Sequence, residues 1–123
     1  MALPVTTIIA ALAGLMLVGL GLLAGLRRNA TRINLGTEGD DVLLKRVRAH
    51  GNFTEYTPIA LILLALAEVA GTSATYLWIA GGLLLAGRAL HAIGLIATIS
   101  PARAAGMLMT FGAILYMIWL LLF

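Results

Sequence analysis

The chain has 123 residues, of which 62% are hydrophobic and 11% charged, with a formal net charge of +3. A soluble globular domain carries about 25% charged residues, so this composition, with a mean hydropathy of +1.06, excludes an ordinary water-soluble fold. Cysteine is absent and the two histidines stand apart from carboxylate clusters, which excludes a disulfide framework and argues against a protein-held metal.

Four apolar runs each reach the ~20 residues that a membrane-spanning helix needs. The first runs from Ala2 to Leu26. No positive residue precedes it, and Arg27, Arg28 and Arg32 follow, so it reads as a span and not as a signal peptide. A polar loop then extends from Arg27 to Arg46, with Asn34, Gly36, Glu38, Gly39, Asp40 and Asp41 inside it. The second span runs from about Val47 to Ala70 and ends at a short uncharged connection, Gly71-Thr72-Ser73. The third runs from about Ala74 to Ile99, and Pro101 is expected to end it, because proline disfavours a helical residue before it. After the Ser100-Pro101-Ala102-Arg103 turn, the fourth covers about Ala104 to Phe123. The two-residue alternation of an outer-membrane barrel is absent. The expected fold is an all-α integral membrane bundle of four transmembrane helices, with residues 1–123 forming one domain.

With four spans, the first and third connections share a side. The basic residues from Arg27 to Arg46, with Arg48 and Arg103, put that side in the cytoplasm and both termini on the other. The same placement accounts for a pI near 10.0 without a nucleic-acid partner. Gly14, Gly21 and Gly25 in the first span, and Gly81, Gly82, Gly87 and Gly94 in the third, predict close helix packing in lipid.

The second span carries a polar stripe. Arg48, Asn52 and Glu55 fall within roughly 60° of one another at about 100° per residue. An ionisable group at bilayer depth costs ~2.5–3.5 kcal/mol, so such groups face a partner or a watery cavity. Arg88 and His91 share one face of the third span, and Arg88 sits ~15 Å inside, as deep as Glu55. Depth alone predicts a Glu55–Arg88 ion pair between antiparallel neighbours. Each residue by itself also has a structural account. Arg48 would snorkel to the headgroups, Asn52 would bond a neighbouring helix, and Pro58 would kink the span. His91 would be a satisfied core histidine, the ion pair would lock two helices in register, and Glu68 would be an interfacial residue on another face. Taken together, the groups fit a small zwitterionic peptide. Arg28, Arg48 and Arg103 suit carboxylates, while Glu55 and Asn52 would receive an ammonium group or peptide amides. Any thiol would come from the ligand.

The string Arg48-Ala49-His50-Gly51-Asn52-Phe53-Thr54-Glu55-Tyr56-Thr57-Pro58 resembles the signature of the MAPEG superfamily, the membrane-associated proteins of eicosanoid and glutathione metabolism. Gly87-Arg88-Ala89-Leu90-His91 and Pro101-Ala102-Arg103 resemble further segments of that family, and the likeness covers nearly the whole chain. It is nearest to the short bacterial members. The resemblance implies a homotrimer in a bacterial inner membrane, with glutathione as co-substrate between adjacent subunits near the cytoplasmic side. Arg48, Asn52, Glu55 and Tyr56 match glutathione-contacting positions, as do His50, Arg28 and His91. Arg103 matches the arginine held to stabilise the glutathione thiolate. Two positions depart from the family pattern: Leu95 stands where well-studied members have a tyrosine, and Ala104 where prostaglandin E synthase has a serine. These changes argue against a prostaglandin-specific isomerase.

Three readings follow. The first is a glutathione transferase acting on lipophilic electrophiles drawn from the membrane lipids, with lipid hydroperoxide reduction as a second activity. The second is a binding or scaffold protein of the same fold without glutathione chemistry. The third, a small proton-coupled exporter, would need a carboxylate in the first span, which has none.

Overall fold

The computed structural model describes residues 1–123 and contains four long helices: α1 (Pro4–Thr31), α2 (Asp41–Val69), α3 (Ala74–Ile96) and α4 (Ser100–Leu122). All four are long and apolar enough to cross a membrane. Only 27 of the 123 residues are buried, and many large apolar side chains are exposed. Leu15, Leu22, Leu26, Leu108, Leu115 and Leu122 form part of that apolar exterior, as expected where lipid replaces water.

The helices are longer than the apolar runs at one end. With 28 and 29 residues, α1 and α2 exceed the ~20 residues of a minimal span. Residues 27–31 and 41–46, expected in the loop, are helical instead. The connection shrinks to Arg32–Asp40. Arg32 ends α1 in the left-handed conformation, φ 58°. Asp40 starts α2 as its N-cap, accepting from the Val42 and Leu43 amides at 3.1 and 3.4 Å. Its other carboxylate oxygen accepts from Arg27 Nε at 2.9 Å, which closes the connection. Arg46 reaches the Leu23 carbonyl at 2.8 Å, a second tie between α1 and α2.

Pro101 opens α4 and does not terminate α3. It sits in the first turn, where a missing N–H costs nothing. The end of α3 is set by Thr98, at φ 60°, with Ile99 N bonding back to the Gly94 carbonyl at 2.7 Å. That arrangement satisfies an otherwise free carbonyl. Lys45 donates to Thr98 Oγ1 at 2.7 Å and so ties α2 to the same turn.

The α3–α4 pair is the tightest crossing, and glycine makes it possible. A Cβ added to Gly94 would overlap the backbone of Arg103, and one on Gly87 would lie 3.0 Å from the Gly106 carbonyl. Gly21 and Gly25, expected to mark a packing face, do less. A Cβ on Gly21 would meet only His50, and one on Gly25 nothing.

Two apolar clusters fill the interior. Ile9, Leu64, Leu77, Leu84 and Met117 belong to the larger, and Ala13, Leu20, Ala49, Phe53 and Ala92 form the smaller, toward the basic end. Stacked Tyr116 and Trp119, 6.2 Å between ring centroids, lie toward the opposite end with exposed Tyr76 and Trp78. Aromatic residues gather in this way where a span leaves the hydrocarbon.

Candidate functional site

A cleft of about 350 Å³ opens between α2, α3 and α4. Three successive turns of α2 contribute Arg48, Asn52 and Tyr56; α3 contributes His91 and Leu95; and α4 contributes Arg103, Met107 and Phe111. Residues four apart on a helix share a face, so each helix presents one stripe. The tight α3–α4 crossing brings Arg103 and His91 to the same cleft, because Gly94 and Gly106 allow the backbones to touch.

The cleft therefore gathers Arg48, Asn52, Tyr56, His91 and Arg103 from the residues singled out in the sequence. The other three lie elsewhere. Arg28 donates to the Ile33 and Gly36 carbonyls at 3.3 and 2.8 Å and shapes the α1–α2 connection. His50 faces α1, against Gly21. Glu55 stands at the side of the cleft, 3.4 Å from Arg48 Nη2, with both side chains about half exposed (51% and 52%).

The expected Glu55–Arg88 pair does not form. Arg88 is 1% exposed and its nearest partners are neutral. It donates to Asn52 Oδ1 at 2.7 Å and to Thr110 Oγ1 at 3.0 Å. Its guanidinium carbon also lies 5.6 Å from the centre of the Tyr56 ring. The reason is angular. On α2, Tyr56 lies about 40° to one side of Asn52 and Glu55 about 60° to the other. Arg88 comes in from the Tyr56 side.

Glu68 lies in the last turn of α2, where its carboxylate accepts the Val5 and Thr6 amides at 2.9 and 2.8 Å.

The polar end of the cleft is strongly cationic. Arg103 has no ion-pair partner in the chain, Arg48 shares Glu55, and Arg88 stands behind Asn52. The apolar lining is interleaved with these groups: Leu95 follows His91 on α3, and Met107 and Phe111 follow Arg103 on α4, with Phe111 meeting Tyr56 edge-on at 5.6 Å. Met107 and Phe111 were missed in the sequence. Their four-residue spacing from Arg103 is the signal that would have found them.

The family model described as the MAPEG family matches residues 5–123. The chain is also 37% identical over 87 residues to the inner membrane protein YecN of Escherichia coli K12, and equally to its counterpart in strain O6:H1. That stretch is 71% of this chain and 66%, just under two thirds, of each of those proteins. No solved structure matches the chain significantly.

Proposed function

The chain belongs to the MAPEG family, and from that membership and the cleft together we propose that it is a glutathione-dependent transferase acting on lipophilic electrophiles. The observation that carries this reading is that one cleft is lined both by the unpartnered Arg103 guanidinium and by the apolar side chains Leu95, Met107 and Phe111. Glutathione brings carboxylates, which suit Arg48, and a thiol, which suits Arg103. A thiol near pKa ~8.5 is a weak nucleophile at neutral pH unless a cation favours the thiolate. Arginine stays protonated, so Arg103 contributes charge and takes no proton. The thiolate sulfur forms a bond to the electrophilic carbon, and the displaced group leaves with the electron pair. The same thiolate would attack a lipid hydroperoxide oxygen and release the alcohol, and a second glutathione would then form the disulfide and release water.

The homotrimer belongs to this proposal. Arg48 and Glu55 are half exposed within a span, a costly arrangement in lipid. A neighbouring subunit over that face would remove the cost and complete the cleft. The inner membrane is the location we propose, in keeping with the name of the Escherichia coli relatives. Arg27, Arg28, Arg32, Lys45 and Arg46 would then face the cytoplasm.

Leu95 favours a second reading. It lines the cleft where resembling enzymes carry a tyrosine, so it removes a hydroxyl from the site. A membrane binding or scaffold protein of this fold would need no such group. Conjugation of glutathione to a standard lipophilic electrophile by purified protein separates the two. Turnover supports the transferase, and its absence with intact folding supports the binding protein.

A further inference from the structure

Arg88 is the most deeply buried charged group in the chain, and no carboxylate lies within ion-pair distance of it. Its donors go to neutral acceptors. Nε bonds Thr110 Oγ1 at 3.0 Å, Nη1 bonds both Asn52 Oδ1 at 2.7 Å and the Asn52 carbonyl at 3.1 Å, and Nη2 lies 3.5 Å from Met107 Sδ. A guanidinium has donors and no acceptor. The oxygen of the Asn52 amide must therefore face Arg88, and the amide nitrogen must point away. That choice is dictated by chemistry and is not a matter of how the amide is drawn.

Asn52 also lines the cleft, and its amide nitrogen donates to nothing within the chain. An asparagine free to flip would offer a ligand either an acceptor or a donor. This one offers only the donor. We propose that Arg88 is a positioning residue that locks Asn52 Nδ2 as a donor aimed into the cleft, so that the cleft selects a ligand oxygen there, a carboxylate or a peptide carbonyl. The second bond, to the Asn52 carbonyl, holds the same turn of α2 and stops the side chain from swinging out. This deepens the glutathione reading and rests on it for the ligand's identity. On this reading Asn52 donates to the ligand and does not receive its ammonium group.

The test uses the detergent-purified full chain with glutathione as the probe. Asn52→Asp keeps an oxygen for Arg88, supplies the missing carboxylate, and replaces the donor by an acceptor. Its melting temperature should rise above the parent's while its glutathione affinity falls about 10- to 100-fold. Arg88→Gln frees the amide to flip and should raise KM with kcat near the parent's, whereas Arg88→Lys should recover most of the lost affinity. Parent affinity in Asn52→Asp overturns the proposal. If the parent binds no glutathione, the glutathione reading fails, and the melting temperature still decides the positioning. A more stable Asn52→Asp upholds the Arg88–Asn52 arrangement, and an equally or less stable one overturns it.

Discussion

Glu68 and Thr6 lie far apart in the chain, yet the Glu68 carboxylate accepts the Thr6 amide at 2.8 Å, and its other oxygen accepts the Val5 amide at 2.9 Å. Helix α1 begins at Leu3 and Pro4 with no side-chain cap of its own. The first amides of a helix have no intrahelical acceptor. The last turn of α2 supplies the cap instead. Glu68→Ala should therefore cost about 0.5–2 kcal/mol, the range for a lost N-cap. Glu68→Gln, which keeps one acceptor, should cost less. Thermal unfolding in detergent reads both.

Gly94 sets the position of Arg103. A Cβ there would overlap the Arg103 backbone, and nothing flexible is available to move aside. Gly94→Ala should force α3 and α4 apart and destabilise by about 1–3 kcal/mol. Because Arg103 rides on the displaced segment, conjugation should fall by more than the loss of folded protein explains. Activity per folded molecule, measured beside the melting temperature, checks this.

The Arg27 guanidinium, bonded to Asp40, holds that carboxyl below the usual carboxylate range, helped by the Leu43 and Val42 amides. A lowered folded pKa contributes stability that is complete above the unfolded value, about pH 4, and is lost as pH falls through the folded one. The melting temperature should accordingly drop on the acid side of about pH 4. In Asp40→Asn that drop should flatten. An unchanged acid limb would show that the Arg27–Asp40 contact does not couple to folding.

The proposed homotrimer would cover Arg48 and Glu55. Both are about half exposed within a span, which calls for protein cover. Native mass spectrometry of detergent-solubilised protein should give three chains per particle. A stable monomer would remove the inter-subunit site.

The four spans were legible because composition and length alone require them. So was the Arg48–Asn52–Tyr56 stripe, which follows from helical spacing. Reading depth without angle was what failed. Glu55 and Arg88 share a level, but Glu55 lies about 100° around the helix from Tyr56, on whose side Arg88 approaches. Long-range caps were equally hidden. Nothing local to Glu68 says that its partners are Val5 and Thr6. The helix ends failed for a third reason: Asp40 caps α2 outside the apolar run, where hydropathy carries no signal.

The central claim is that Arg103 stabilises a glutathione thiolate in the cleft. Detergent-purified protein titrated with glutathione near pH 7, followed by the ultraviolet absorbance of the thiolate, tests it most directly. The parent should show a saturable thiolate signal. Arg103→Ala should lose it, through a higher thiol pKa, and Arg103→Lys should keep part of it, having the charge without the planar fork. No thiolate signal from the parent at saturating glutathione, or an Arg103→Ala signal equal to the parent's, would contradict the account.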